Sequence, residues 1–299
     1  MKRKYILHSP RIEELKKKKR RILRNKMIFF VFCFLVLLIG LVFLSRWEKI
    51  NIDNIQISGN KVVETEAIEA VVQQNLTGHY LGLFPKTNFL LYPKKQIKNE
   101  LENQFKRFSD VSIGLDNIKT LKISVTEREG KYLWCGTLVP VLINDTSSYK
   151  CYFMDQNGYI FDEAPYFSGN VYFKFYGPDS GDPANPIGTY FLKDKFEEIA
   201  GFKNTLKEFG MNPADFWLDK NGDANISLSS EPDAGPKIIF KINSDYEKIA
   251  ESLQAAITTE PLQTELTNKF SSLLYIDLRF GNNVYYKFSA QNESVSGGQ

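Results

Sequence analysis

Histidine and cysteine are scarce in this chain, two and three residues respectively in 299. His8 lies in a basic leader, and His79 stands alone in an apparent loop beside Tyr80, where a solvated side chain is the expectation rather than a general base. A Cys-His nucleophile would need His79 beside Cys135 or Cys151, and no motif brings them together. The chain contains no Gly-x-Ser-x-Gly elbow and no phosphate-binding glycine loop. Asp219, Asn221 and Asp223 match the first three ligand positions of a calcium loop, but its glycine is displaced to Gly222 and its twelfth position is Ser230 rather than Glu. A hairpin turn is the better reading there. Glu127 and Glu129 resemble paired glycosidase carboxylates only in spacing; at a strand end they are expected to face water or pair with Arg128. Internal repeats and long low-complexity linkers are also missing. These absences leave no expected catalytic residue, cofactor, metal site or small-molecule substrate.

What the chain has instead is one long apolar run. Met27 to Leu44 is eighteen residues without a charge, fifteen of them Leu, Ile, Phe or Val. As a helix it reaches about 27 Å, close to the ~30 Å hydrocarbon core of a bilayer. Its side chains contribute roughly −4.5 to −9 kcal/mol to insertion, an upper bound because the scale refers to mid-helix positions. Lys26 and Arg46 can snorkel outward, and Trp47 stands where an interfacial aromatic is expected. The expectation is a transmembrane helix over 27–45. Residues 1–26 carry twelve Lys or Arg against two acids, whereas the remainder carries a net charge of −7. The positive-inside rule puts the leader in the cytoplasm and everything after the span outside it. A cleaved signal peptide is the alternative, but the run exceeds the ~7–15 residues of a signal core and Ser45-Arg46-Trp47-Glu48 is not a small-residue cleavage site. The basic run Lys16 to Arg21 also favours anionic lipid, and no base-reading fold surrounds it, so no nucleic-acid partner is expected.

Beyond the span, alternation and helical spacing outline a small unit. Ile50, Ile52, Ile55 and Ile57 form a short strand ended by Gly59-Asn60. Ile68, Val71, Val72 and Leu76 recur at helical spacing from Thr65 and stop at Gly78; Pro93 opens a second helix with Ile97, Leu101 and Phe105 on one face. Val111, Ile113 and Leu115 then alternate, Asp116-Asn117 turn the chain, and Leu121, Ile123 and Val125 alternate again. Cys135 and Cys151, sixteen positions apart near the ends of two stretches that can pair, could form a disulfide worth about 3 kcal/mol. Two free buried thiols are the alternative. Cys33 lies within the span.

The following 160 or so residues read as α+β. Thr189 to Phe209 carries Leu192, Phe196, Ile199, Phe202, Leu206 and Phe209 at helical spacing before Gly210. Strands are expected over Phe216 to Asp219, Ala224 to Leu228 and Lys237 to Ile242, the first two joined through Asn221-Gly222. Ser244-Asp245-Tyr246-Glu247 fits a capping box for a helix to about Ile257, and another helix spans about Leu262 to Phe270. In LLYIDLRF, Ile276, Leu278 and Phe280 alternate with Tyr275, Asp277 and Arg279; after Gly281-Asn282-Asn283, Val284, Tyr286 and Phe288 alternate with Tyr285 and Lys287. This final strand is a candidate sheet edge.

INIDNIQISGN, two helices and DVSIGLDNIKTLKISVTERE together resemble a POTRA domain directly after a single membrane span, an arrangement similar to the bacterial division proteins FtsQ and DivIB. CYFMDQNGYIFDEAP resembles the opening of that family's second, β-rich domain. NPIGTYFLKDKFEEIAGFKNTLKEFG resembles its next helix, and LLYIDLRFGNNVYYKF its closing hairpin. The resemblance covers roughly 27–288. It departs from the family at the insert-like stretch Gly136 to Lys150 and at Gly130, where a Pro often follows the Glu-Arg pair. It implies an α+β fold: a leader 1–26, a single transmembrane helix 27–45, a β-α-α-β-β POTRA domain 50–127, a predominantly antiparallel β domain with a few helices 128–288, and a loose tail 289–299. The implied function is a non-enzymatic scaffold of the cell-division complex at the septum of the plasma (inner) membrane. Its implied partners are FtsB/DivIC-like and FtsL-like proteins, docked by β-strand addition on Tyr275, Asp277, Arg279 and Phe280 and on Val284, Tyr285, Tyr286, Lys287 and Phe288. Two other readings stay open: a membrane-anchored envelope enzyme such as a wall hydrolase, and another POTRA-bearing chaperone or secretion component.

Overall fold

The computed structural model describes residues 10–137, 150–167, 170–178, 181–182, 184–229 and 235–289, with side chains from residue 14. His8, Ser230, the interior of the 136–150 stretch and the tail beyond residue 289 lie outside the described residues. The protein mixes helix and sheet, with one long apolar N-terminal helix and a large antiparallel-rich sheet. It divides into two compact units, Met1–Glu127 and Arg128–Gln299.

In the first unit, α1 (Pro10–Ser45) is a single 36-residue helix that carries the basic leader and the apolar run without a break. It is long and apolar enough to cross a membrane, and the side chains of the run are exposed along most of its length. A short 3-10 turn at Glu48–Ile50 leads into β1 (Asn54–Ser58). There follow α2 (Thr65–Leu76), a two-rung hairpin of β2 (His79–Tyr80) and β3 (Phe84–Pro85), α3 (Lys94–Gln104), β4 (Phe108–Asn117) and β5 (Thr120–Glu127). The main sheet has the order β1-β5-β4, β1 parallel and β4 antiparallel to β5. Ile68, Val71, Val72 and Leu76 of α2 and Ile97 and Leu101 of α3 bury against Val111, Ile113, Leu121, Ile123 and Val125 of the sheet. Period-2 and period-3.6 apolar patterns thus meet in one core. Gly59 ends β1 with φ +92°, and a Cβ there would stand 2.0 Å from the Val125 carbonyl oxygen of the adjacent β5, so only glycine lets the chain leave β1 at that point.

One turn sits two residues later than the sequence indicates. β4 continues through Asn117, and the chain reverses at Ile118-Lys119, because the Asn117 side chain accepts a hydrogen bond from the Lys119 N–H at 2.9 Å.

Among the described residues of the second unit, nine strands form one mixed sheet in the order β14-β13-β12-β11-β10-β9-β6-β7-β8. They are β6 (Tyr132–Trp134), β7 (Cys151–Met154), β8 (Ile160–Ala164), β9 (Phe173–Tyr176), β10 (Asp215–Leu218), β11 (Asp223–Ser227), β12 (Lys237–Lys241), β13 (Leu273–Phe280) and β14 (Asn283–Phe288). Antiparallel pairs predominate, but β6/β9, β9/β10 and β12/β13 are parallel. The β12-to-β13 crossover runs through α5 (Tyr246–Ile257) and α6 (Leu262–Lys269), and the β9-to-β10 crossover through α4 (Phe196–Glu208). Phe196, Ile199, Phe202 and Leu206 of α4 and Ile249 and Leu253 of α5 bury against one sheet face. At its centre the Phe175 ring lies 5.1–5.5 Å from those of Tyr132, Phe191, Phe196 and Phe216. The opposite face near β6 and β7 carries a smaller cluster of Leu133, Cys135, Tyr176 and Phe153. Cys135 and Cys151 are joined there as a disulfide, which closes the 136–150 stretch at its base.

Two helix starts differ from the sequence expectation. α4 begins at Phe196, not Thr189: Ile160 and Phe191 donate N–H bonds to Thr189 and Gly158 carbonyls, and Leu192 takes φ +43°, so 189–192 packs along β8 instead of coiling. For α5 the cap is Asp245, whose carboxylate accepts the Lys248 N–H at 3.3 Å, so Ser244 and Glu247 do not form the expected capping box.

Candidate functional site

The sheet has two ends, and they are not alike. β8 is flanked by the 188–191 segment, with Ile160 N–H bonded to the Thr189 carbonyl, Gly188 N–H bonded to the Ile160 carbonyl, and a bridge between Tyr159 and Tyr190. β14, at the other end, has β13 on one side and no strand on the other among the described residues. Among the described residues, then, no strand pairs with its outer row of backbone N–H and C=O groups, the groups a further strand would use.

Side chains around this edge divide by face. Ile276 and Leu278 of β13 are buried, and Val284, Tyr286 and Phe288 of β14 pack partly into the same core. On the other face the register sets Tyr275 opposite Lys287 and Asp277 opposite Tyr285. Asn225 of β11, Ile239 of β12, Asp277 and Tyr285 make one cross-strand row. Phe280 departs from the alternation. A bulge between Asp277 and Phe280 turns it from the expected core side to solvent, where it is 54% exposed. There it meets the equally exposed Tyr285 edge-on, with ring centroids 5.2 Å apart.

Asp277 and Arg279 serve the fold rather than the open surface. Asp277 is 4% exposed and receives the Arg279 guanidinium at 2.6–3.2 Å through Nε and Nη2. The remaining nitrogen, Nη1, donates to Asp223 of β11 at 2.8 Å, and Lys241 of β12 contacts the same Asp223. Lys241 and Arg279 hold the Asp223 carboxyl below its usual range against the opposing effect of partial burial. The Arg279 guanidinium is in turn held further above its usual value, first by its bonds to Asp277. The network ties β11, β12 and β13 together, and removing Arg279 would strand a buried carboxylate at a cost of about 3 kcal/mol. Sequence reading placed both residues on the docking face and missed this linkage. Its visible trace is an Asp and an Arg two apart on one face of an otherwise apolar strand.

The other groups weighed for chemistry have structural partners. Asp219 accepts the N–H groups of Asn221 and Asp223, both at 2.8 Å, as a hairpin turn does. Glu127 accepts the N–H groups of Lys61, Val62 and Val63 at 2.8–3.1 Å, and Glu129 pairs with Lys131 at 3.2 Å. Arg128 pairs with neither glutamate: it bonds Asp155 and lies over the Tyr159 ring, 4.3 Å from its centroid. His79 is exposed in β2. Among the described residues, no three His, Cys, Asp or Glu side chains cluster as a metal site.

No protein-family model matches this chain. No curated protein matches it either. The functional reading therefore rests on the edge itself and on the order of elements that leads to it.

Proposed function

We propose that this chain is a single-pass membrane scaffold of the FtsQ/DivIB kind, with its first unit a POTRA domain and its closing hairpin a docking edge for FtsB/DivIC-like and FtsL-like proteins. The observation that carries the reading is the asymmetry of the nine-stranded sheet among the described residues: the 188–191 segment bonds the start of β8 at Ile160, while β14 has no outer strand beside Phe280 and Tyr285. An incoming strand would gain backbone hydrogen bonds from β14, with the two exposed rings and Lys287 supplying selectivity. With the two-rung β2-β3 hairpin between its helices set aside, the first unit runs β1-α2-α3-β4-β5, and this order and a preceding helix long enough to cross a membrane support the same reading. On it, the protein acts by binding at the division septum and performs no reaction.

The test uses the full chain in detergent with an FtsB/DivIC-like and FtsL-like pair. Tyr285→Ala with Lys287→Glu is expected to abolish co-purification while leaving thermal unfolding unchanged, because both side chains are exposed. Undiminished capture would exclude edge docking. Arg279 is left intact in this test, since its loss would confuse docking with folding. A fluorescent fusion of the wild-type chain is expected at midcell; uniform envelope staining would count against the division role.

A further inference from the structure

Two segments with exposed apolar side chains are bonded to the end of α1. The β2-β3 hairpin turns through Leu81-Gly82-Leu83, with Leu81 92% exposed and at φ +51°, a backbone conformation leucine rarely adopts. A few residues on, Leu90 is 75% exposed, and Leu91 is exposed as well. A strained, fully exposed leucine gains nothing from water. Both segments are tied to the residues where α1 ends. Arg46 donates from Nε to the Leu83 carbonyl and from Nη2 to the Gly82 carbonyl, each at 3.2 Å. Asn88, itself buried, donates from Nδ2 to the Ser45 carbonyl at 3.2 Å, and the Phe89 N–H bonds the Ile50 carbonyl. Ser45 and Arg46 directly follow the last residue of the eighteen-residue apolar run. The uncovered leucines thus lie at the level where that run stops, beside the exposed Trp47.

We propose that Leu81, Leu83, Leu90 and Leu91, together with Trp47, form a foot that enters the membrane leaflet from which α1 emerges and seats the first unit on the lipid surface. Continuity with the apolar run selects lipid as the occupant, because the hydrogen bonds from Arg46 and Asn88 keep the foot from moving away from it. Lys49 and Lys86 place ammonium groups 5.6 and 5.9 Å from the ring centroids of Trp47 and Tyr80, an apolar body with a cationic edge that suits the headgroup zone. The foot rests on α1 crossing the membrane but not on any division role.

The test uses the full chain with Cys33→Ala, one copy per lipid nanodisc of phosphatidylcholine and phosphatidylglycerol. A polarity-sensitive fluorophore is attached at a single new cysteine: Leu81→Cys, Leu90→Cys, Leu37→Cys within α1, or Lys122→Cys on the exposed face of β5. The expected result is blue-shifted emission, quenched by brominated lipid, at 81 and 90 as at 37, with water-like emission at 122. Lipid quenching at 37 with water-like emission at 81 and 90 would overturn the foot alone. Water-like emission at 37 would overturn the membrane span and the foot with it. Blue-shifted emission at 81 and 90 without lipid quenching would show a protein cover and would also overturn the foot.

Discussion

Glu127, the last residue of β5, turns its carboxylate onto three successive backbone N–H groups at Lys61, Val62 and Val63, the residues that lead into α2. Partial burial alone would raise its pKa. The three N–H groups and the nearby Arg107 outweigh that effect and hold it below the ordinary 4.5. A carboxyl depressed on folding stabilises the fold above its unfolded pKa, and that stability is lost as pH falls through the folded value. Glu127→Gln is therefore expected to loosen the entry to α2 at pH 7 by on the order of 1 kcal/mol. Hydrogen exchange in the full chain should show α2 amides exchanging roughly fivefold faster in the variant at pH 7. The gap should close as the solution is acidified through the folded-state pKa, which lies below the ordinary value, because the wild-type carboxylate is then protonated as well. Equal exchange at pH 7 would exclude the anchoring role. Nothing local announces this contact, because the partners lie 64 to 66 positions away; a strand-end glutamate beside an arginine reads from sequence as a solvated pair.

At the scale of elements, sequence periodicity located most of the helices and strands, and two of its errors arise from tertiary context. The segment 189–195 has helical apolar spacing, yet Phe191 is needed in the core beside β8, and tertiary hydrogen bonds take the backbone that a helix would use. Phe280 keeps the period-2 pattern in sequence, and a bulge that the pattern cannot show turns it outward. That β14 has no outer strand among the described residues was legible only in its being the last strand; that the start of the opposite edge is flanked depends on where 188–191 folds. Gly130 shows a packing constraint hidden behind one residue choice. A Cβ at this position would stand 2.5 Å from the Phe153 ring. That ring cannot move aside freely, because Phe161, Phe167 and Tyr172 lie against it at centroid distances of 5.7–6.1 Å. Gly130→Ala is expected to cost about 1–3 kcal/mol by overpacking. Adding Phe153→Leu should recover part of that loss, a coupling that a double-mutant cycle of denaturant unfolding measures. Strictly additive losses would show that the ring yields.

At the scale of the whole molecule, charge and oxidation state bear on one question, the side of the membrane on which each part lies. The leader carries a net +10, and the residues after it a net −7. The chain's single described disulfide, Cys135–Cys151, lies in the second unit, and its remaining cysteine, Cys33, lies in α1. A disulfide persists in an oxidising compartment and is kept reduced in the cytosol, so on the proposed topology the bond reports export of the second unit. Replacing the six basic residues Lys16 to Arg21 with Gln lowers the leader's net charge to +4 and, on the proposed topology, removes most of the bias that would keep it inside. Part of the variant population is then expected to insert in reverse, with the second unit left in the cytosol and its two thiols free. Alkylation with a polyethylene-glycol maleimide, in denaturant and without reductant, reads this directly. Wild-type chains should gain one label, at Cys33, while inverted chains should gain three. Three labels on the wild-type chain would exclude either the bridge or the export of the second unit, and protease access in intact spheroplasts would tell which. A variant population with one label throughout would show that the basic run does not set orientation, leaving that role to Lys26 and the charges nearer the N-terminus.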